Sequence, residues 1–451
     1  MPNNRAHWGS RLAFILAAAG SAIGLGNIWK FPYITGVNGG GAFVILYLFC
    51  IFAVGVPILI SEMYIGQKAQ CNNVQAFRKL ASGNKWGPLA GWLGLGSAFM
   101  ILSFYSVVGG WILDFEFRAI THLLTGDFTD FEDGAALNSL LGNPWRQLAW
   151  HAVFMSLVTW IVYRGVKEGL EKWNKILMPT LMGLLVLLFI RVMFLEGFSE
   201  AFSFLFSPDF SKLTGDGALE AVGHSFFTLS LGMGAIMVYG SYLDENENLV
   251  KTSLAVAFLD TLIALLAGLV IFSIVFTYDL DASAGPGLIF ATLPTLFNKM
   301  TGGSLLSIAF FFMITFAAIT SAVSILEVVI AYWSEHKKVS REKASLIIGF
   351  IMFAVGVLHV FSTNLWSDIF NILGKTNFFD LFDLLTSSYM LPIGGVMIAL
   401  FYGWVLGPQS VDNTIKDDNP VLKLGLLWAC RLIAPLLVVI ILYSKVKELF
   451  A

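Results

Sequence analysis

The residues best placed to bind a ligand lie at a break in the first long apolar segment. This segment reads AAGSAIGLGNIWKF from Ala18 to Phe31, and Gly24-Leu25-Gly26-Asn27 interrupts what is otherwise typical of a membrane-spanning helix. In hydrocarbon, irregular backbone persists only where it is buried in protein or lines a cavity, because unsatisfied polar groups are costly there. The break therefore predicts carbonyl and amide groups that bind a cation and an anionic ligand. The Gly20–Gly24 spacing is equally typical of close helix packing.

A second break has the same character. Residues 223–242 read GHSFFTLSLGMGAIMVYGSY, and Gly232-Met233-Gly234 interrupts the apolar run. Corresponding breaks at the starts of two five-helix halves are typical of inverted-repeat transporters that bind their substrate at the middle of the membrane. Helix ends at such breaks offer N–H groups to a carboxylate and carbonyl groups to a cation.

Polar side chains near these breaks extend the same chemistry. Asn27 and Thr228 lie beside them, and Asp260 lies in the run VAFLDTLIALLAGLVIF, where a central charge costs about 3 kcal/mol on insertion scales. Amide, hydroxyl and carboxylate oxygens without sulfur or imidazole suit a hard cation such as Na⁺. Thr320 and Ser321 in FAAITSAVSIL belong to this set, although hydroxyls bonded to their own helix carbonyls are the simpler interpretation of that pair.

The composition is that of an integral membrane protein. Of 451 residues, 57% are hydrophobic and 13% are charged, where a soluble protein carries roughly a quarter charged residues. The net charge of -3 gives no basic excess for nucleic acid, and three cysteines at no metal spacing predict neither a disulfide framework nor a cluster. We expect one membrane domain over 1–451, with a retained N-terminus, and no enzymatic site.

Apolar runs of about 20 residues predict about eleven transmembrane helices. Lys and Arg in alternate short loops place the N-terminus in the cytoplasm and the C-terminus outside. The acidic loop Asp244–Asn248 departs from this pattern, and the short apolar segment 286–298 is expected to form a re-entrant or capping helix on the outer face. The spans centre on residues 12–36, 42–67, 89–122, 147–163, 170–194, 218–242, 252–276, 304–333, 343–360, 379–405 and 421–444.

Several motifs together resemble one family. They are RAHWGSRL, GNIWKFP, NGGGAF, SFFTLSLGMG and ITSAVSIL. The chain is similar to the neurotransmitter:sodium symporter family (NSS/SNF), in particular to bacterial amino-acid transporters of eleven helices. The resemblance implies an all-α LeuT fold whose first and sixth helices are broken. Its 5+5 inverted repeat would comprise residues 11–194 and 218–405, with an extra eleventh helix at 421–444.

The resemblance also implies two sodium ions and one amino acid. The first ion would be bound by the carbonyls of Ala22 and Thr228, the side chains of Asn27, Thr228 and Asp260, and the substrate carboxylate. The second would be bound by the carbonyls of Gly20, Ile23 and Ala317 and the hydroxyls of Thr320 and Ser321. The substrate carboxylate would meet the Leu25 and Gly26 amides and the Tyr105 hydroxyl, and its side chain would face Ile101, Phe227, Ser230, Met233, Ser321 and Ile325.

Four positions depart from common members of the family. Met233 replaces a phenylalanine, and a flexible thioether favours a broad hydrophobic or aromatic substrate range. Asp260 and Ala264 stand where chloride-dependent members have Asn and Ser, so we expect chloride independence, although Tyr47 matches a residue of the chloride site. Lys30 replaces an arginine of the outer gate. It would pair with Asp383 without the bidentate geometry of arginine, or simply extend to the interface.

Further positions match parts that close or open the cytoplasmic side. The inner gate would use Arg5 paired with Glu335, Trp8 as a plug and Tyr242 as an acceptor near the pair. Glu62 matches a buried carboxylate that bonds the unwound sixth helix. Gly169 and Pro179 reproduce a spacing with which the fifth helix of an eleven-helix member unwinds to release the second ion, whereas a proline alone means only a kink.

The predicted function is sodium-coupled import of neutral hydrophobic or aromatic L-amino acids of the Trp, Leu, Phe, Tyr, Ile, Val and Met class. Transport would proceed by alternating access across the cytoplasmic (inner) membrane, in contact with the lipid bilayer and without nucleic acid. Three alternatives stay open at this point: a proton replacing one Na⁺ at Asp260, a binding-only receptor or channel, and an intramembrane enzyme. The last has little support, since the six histidines are scattered along the chain.

Overall fold

The computed structural model describes residues 6–81, 83, 86–126, 131, 134–280, 285–337, 339–366, 377–416 and 419–450. Every regular element within these ranges is a helix. The first half comprises α1 (Arg11–Ala22), α2 (Gly26–Val37), α3 (Gly41–Ala69), α4 (Asn73–Leu80), α5 (Gly87–Thr125), α6 (Ala135–Leu141), α7 (Pro144–Tyr163) and α8 (Val166–Val192). The second half comprises α9 (Phe198–Phe206), α10 (Gly215–Thr228), α11 (Ala235–Gly240), α12 (Leu249–Thr277), α13 (Thr292–Lys299), α14 (Gly303–His336), α15 (Arg341–Ser362), α16 (Phe378–Thr414) and α17 (Pro420–Ser444).

The predicted spans all correspond to helices. Within the described part of the chain, 8 helices are long and apolar enough to cross a membrane, or 9 when α1 and α2 count as one bent span. The helix α7 and the broken pair α10–α11 occupy the fourth and sixth predicted spans. The fold is therefore all-α and membrane-spanning, as predicted.

The helices end at different residues from the predicted ones. The prediction ended each helix where hydrophobicity is lost, whereas backbone geometry determines the observed ends. The helix α5 continues to Thr125 and stops where Gly126 adopts φ 73, a left-handed conformation that favours glycine. The capping segment predicted over 286–298 starts with the 3-10 helix Gly285–Leu288 and is α-helical from Thr292. The short helix α9 was not predicted, since its nine residues cannot span a membrane.

Both predicted breaks are present. The axes of α1 and α2 are bent by 51°, and between them Ile23 is extended with ψ 103. Between α10 and α11 the backbone has positive φ at Ser230, Gly232 and Gly234. A Cβ at Gly232 would lie 2.2 Å from the Leu391 carbonyl oxygen, so this close approach to α16 requires glycine.

The broken helices lie at the centre of the bundle, and intact helices enclose them. In the most apolar windows of α5 and α14, 78% of residues are buried, whereas the figure is 33% for α8 and α17. The first two therefore form the interior of the bundle, and the other two lie at its periphery. The face of α1 from Ala17 to Ala22 is buried throughout.

Candidate ion and substrate site

Asp260 is the centre of a buried polar cluster at the two breaks. Its Oδ1 accepts hydrogen bonds from Asn27 Nδ2 at 2.7 Å and from Thr228 Oγ1 at 3.0 Å, and its Oδ2 accepts one from the Tyr47 hydroxyl at 3.3 Å. All four side chains are fully buried. No Lys, Arg or His of the described ranges pairs with this carboxylate. A buried carboxylate surrounded by neutral oxygen groups has the chemistry that a sodium ion requires.

The break after α1 joins this cluster to three helices. The Gly24 N–H donates to Asn27 Oδ1 at 3.1 Å, so it is not paired with the carbonyl four residues earlier. The Ser21 carbonyl accepts from the hydroxyls of Ser230 at 2.7 Å and Ser321 at 3.3 Å. These contacts hold the end of α1 against the α10–α11 break and against α14.

The residues predicted for the second ion are buried on α1 and α14. Gly20, Ile23 and Ala317 are inaccessible, and the Thr320 hydroxyl is shared between its own helix carbonyls, Phe316 at 3.0 Å and Ala317 at 3.1 Å. The simpler interpretation of Thr320 is thus present in the structure. It does not exclude a ligand role, because a hydroxyl that donates its proton keeps lone pairs for a cation.

All nine residues predicted to contact the substrate line one small cavity of about 20 Å³. Ala22 and Gly24 complete its wall. The Tyr105 hydroxyl is buried without a hydrogen-bond partner in the described chain; Leu25 and Ser321 flank it outside hydrogen-bonding geometry. The cavity has room for about one water molecule, so an amino acid must displace side chains to enter.

A larger cavity of about 250 Å³ adjoins the small one. Leu25, Tyr105 and Phe227 line both cavities and so form the boundary between them. Sequence reasoning missed other residues of this wall, among them Phe104, Val108 and Phe379. They are apolar residues in apolar helices, and no local signal distinguishes them from packing residues.

Lys30 and Asp383 line the larger cavity but do not form an ion pair with each other. The Lys30 ammonium lies 4.7 Å from the centre of the Phe227 ring, and Asp383 accepts a hydrogen bond from the Ser387 hydroxyl at 2.7 Å. The two charges predicted as an outer gate thus face one cavity that they leave open.

At the end of the bundle opposite Lys30, Trp8 packs next to the start of α1. Its Nε1 donates to the Tyr239 carbonyl at 3.0 Å, and its ring makes edge contacts with Phe14, Tyr239 and Tyr242. Only 6% of Trp8 is exposed, which fits the predicted plug.

The hydroxyl of Tyr242 contacts a carboxylate that the sequence analysis did not single out. This hydroxyl donates to Glu327 Oε1 at 2.6 Å, and Glu327 is paired with Arg341 through both carboxylate oxygens. Glu335 accepts hydrogen bonds from the backbone N–H and side-chain amide of Asn72, at 2.7 and 2.8 Å, and its pairing with Arg5 stays a prediction. Arg5 lies outside the described residues. Sequence reasoning missed Glu327, although a carboxylate in the apolar run SILEVVIAYW is a signal of the same kind as Asp260.

Two further predictions concern the broken and the fifth helices. Glu62 Oε1 accepts the Gly232 N–H at 2.7 Å, which confirms the predicted contact between a buried carboxylate and the sixth span. Gly169 lies in the π-helical turn Val166–Glu171 at the start of α8, and Pro179 lies in the α-helical remainder, Lys172–Val192. A Cβ at Gly169 would lie 2.0 Å from the Ile161 carbonyl oxygen, so glycine permits close contact with α7, and unwinding stays a prediction.

This arrangement defines a helical membrane transporter organised around two broken spans. The chain belongs to the Sodium:neurotransmitter symporter family, whose sequence pattern matches residues 5–131 and 138–450.

Its relatives include uncharacterised sodium-dependent transporters of two bacteria. It is 36% identical over 442 residues to YhdH of Bacillus subtilis, covering 97% of both chains, and 32% identical over 451 residues to a transporter of Haemophilus influenzae, covering 98% of both. The human sodium- and chloride-dependent GABA transporter 2 is 26% identical over 470 residues, covering 92% of this chain and 75% of that one. The crystal structure of MhsT in complex with L-phenylalanine has 42% sequence identity and a TM-score of 0.89, over 98% of this chain and 100% of that one.

Proposed function

We propose that this transporter couples inward movement of Na⁺, with two ions expected, to import of neutral hydrophobic or aromatic L-amino acids, independently of chloride. The observation that carries the proposal is the meeting of two sites at one break. The substrate cavity is walled by Ala22, Gly24, Leu25 and Gly26, and the Asp260 cluster begins at the next residue, Asn27. A ligand in the cavity therefore lies directly beside the ion cluster.

The substrate carboxylate binds at the start of α2. Leu25 is the N-cap of that helix and Gly26 is its first residue, at the end where N–H groups and the positive end of the helix dipole attract an anion. The Tyr105 hydroxyl, which has no hydrogen-bond partner among the described residues, supplies a further donor. A carboxylate held there contributes an oxygen to the first ion, so each ligand binds better when the other is present.

The wall of the cavity favours an apolar side chain. Ile101, Met233 and Ile325 are buried and apolar, and methionine adapts its shape to the group it meets. MhsT, with the same fold, was solved with L-phenylalanine, which supports an amino acid of this class.

Chloride independence follows from the charge of Asp260. A fixed carboxylate at the first ion supplies the negative charge that chloride brings to chloride-dependent relatives. Ala264, one turn later on α12, is fully buried and has no hydroxyl to bind an anion. The Tyr47 hydroxyl is used by Asp260 itself.

Alternating access uses the two ends of the bundle. We assign the Lys30 end to the outside and the Trp8 end to the cytoplasm, with the N-terminus cytoplasmic and the C-terminus outside the cytoplasmic membrane, following the positive-inside rule. The arrangement described above is then outward-facing, since the cavity lies at the Lys30 end and Trp8 closes the other. The two repeats, 11–194 and 218–405, would move relative to each other.

Uptake into proteoliposomes tests the proposal. Radiolabelled tryptophan and leucine are offered under an inward Na⁺ gradient, with Na⁺ replaced by K⁺ or chloride replaced by gluconate at fixed pH. We expect concentrative uptake that requires Na⁺ and ignores chloride. Uptake that persists without Na⁺ and follows pH would instead support proton coupling at Asp260, and binding without accumulation would indicate a receptor or channel.

A further inference from the structure

A buried amide on the peripheral helix α8 has an unused oxygen. Asn174 is 2% exposed, and its Nδ2 donates to the Leu170 carbonyl at 2.8 Å, one turn earlier. Its Oδ1 is buried and accepts no hydrogen bond from the described residues. A buried acceptor without a partner costs free energy, so its presence calls for a ligand that the protein itself does not supply.

This oxygen points at Gly20. A Cβ at Gly20 would lie 2.5 Å from Asn174 Oδ1, closer than to Met178, whose nearest atoms are 3.2 Å away. The Gly20 carbonyl is one of the oxygens proposed for the second ion. In an unbroken helix this carbonyl would accept the Gly24 N–H, but that group donates to Asn27 Oδ1 instead. Two oxygens without their usual donors therefore lie at the contact between α1 and α8.

The next polar side chain on this face of α8 is already engaged. Glu171 Oε2 accepts the Gly9 N–H at 2.8 Å, and Glu171 Oε1 accepts from the Lys175 ammonium at 2.6 Å. The contact between α1 and α8 thus runs from Gly20 towards Gly9, at the Trp8 end. Along it, Asn174 offers a neutral oxygen with no competing partner among the described residues, whereas Lys175 neutralises the charge of Glu171.

We propose that Asn174 Oδ1 is a further ligand of the second sodium ion, contributed by a third helix on the side from which the ion leaves towards the Trp8 end. The inference rests on the proposed function and names a ligand that the family resemblance did not supply. An amide oxygen suits a hard monovalent cation and carries no charge, so it binds the ion weakly enough to release it.

Equilibrium binding of radioactive sodium to the purified full-length protein tests this ligand. It is measured without amino acid, because the first site then lacks the substrate carboxylate and the second site dominates. The variants are Asn174→Leu, which removes the oxygen, and Asn174→Asp, which keeps it and adds charge. Met178→Leu is the matched control, since it also changes packing against Gly20 but removes no oxygen.

Asn174→Leu is expected to weaken sodium binding about tenfold, the lower end for loss of a supporting group at a metal site. Asn174→Asp is expected to bind sodium more tightly and release it more slowly into unlabelled buffer, and Met178→Leu should stay within about twofold of the unmodified protein. The inference is wrong if Asn174→Leu matches Met178→Leu. Should Asn174→Leu fail to fold, an Asn174→Asp variant with unchanged affinity and release would equally overturn the inference. If the unmodified protein binds no sodium at all, the proposed function itself fails.

Discussion

Replacing Asp260 with asparagine tests the ion chemistry most directly. The carboxylate is fully buried, accepts hydrogen bonds from Asn27, Thr228 and Tyr47, and has no basic partner in the described chain. The Asp260→Asn substitution preserves the size of the side chain. It removes one negative charge from the position proposed for the first sodium ion.

Coulomb's law gives the size of the effect. Two unit charges about 4 Å apart interact by about 4 kcal/mol at an effective dielectric constant of about 20. Since about 1.4 kcal/mol changes affinity tenfold, losing the whole attraction between the two charges would weaken sodium affinity about a thousandfold. The amide oxygen that replaces the carboxylate recovers part of this. We therefore expect the Na⁺ concentration for half-maximal uptake to rise by at least about tenfold and at most about a thousandfold.

The assay is uptake into proteoliposomes over a series of Na⁺ concentrations, beside equilibrium sodium binding. Ser253→Ala serves as control, because Ser253 lies on the same helix but donates to Met63 Sδ at 3.3 Å, away from the cluster. Adding Ala264→Ser to Asp260→Asn supplies a hydroxyl one turn away and frees Tyr47, so uptake by the double variant should depend on chloride. An Asp260→Asn protein with unaltered Na⁺ dependence, or a double variant indifferent to chloride, would refute the role given to this charge.

Three other substitutions test the breaks and the two ends. Gly232→Ala should lower the melting temperature in detergent. The backbone angle φ of 83 is unfavourable for alanine, and the new Cβ would lie 2.2 Å from the Leu391 carbonyl oxygen. An unchanged melting temperature contradicts this reasoning. Tyr105→Phe should weaken substrate binding about tenfold, the value of one hydrogen bond to a charged group. Its melting temperature should be unchanged, since the hydroxyl has no hydrogen-bond partner among the described residues. Equal substrate affinity rules out the carboxylate contact. Glu327→Gln leaves Arg341 without its buried anion, which should destabilise the protein by about 3–5 kcal/mol. Hydrogen exchange around Trp8 should then be faster. Unaltered exchange shows that the Glu327–Arg341 pair does not hold that end closed.

Much of the site is predictable from the sequence because the membrane makes certain residues costly. A charge at Asp260 and irregular backbone at both breaks are costly in hydrocarbon, so their occurrence together indicates a binding site. The structure brings Asn27 into hydrogen-bond contact with Thr228 and Asp260, which lie 201 and 233 residues further along the chain. That grouping followed from the resemblance, since local sequence carries no information on distant contacts.

Other features could not be predicted for the same reason. The contact between the Tyr242 hydroxyl and Glu327 depends on how the chain after α11 packs against α14, and local composition does not indicate it. Whether Lys30 contacts Asp383 depends on the conformation of the transporter. The same sequence adopts every conformation of the transport cycle, so it does not indicate one of them. The unused oxygen of Asn174 is visible only once its neighbours are known.

The peripheral position of α8 has a consequence for the membrane around the protein. Only 33% of its most apolar window is buried, so lipid chains contact most of this helix, while its inner face touches Gly20. Pro179 removes one backbone hydrogen bond within it, which makes the helix easier to deform. The proposed second ion site is therefore one helix away from the acyl chains. Bilayer thickness and lateral pressure act on that helix, so we expect lipid composition to change the rate of ion release at fixed substrate and sodium concentrations.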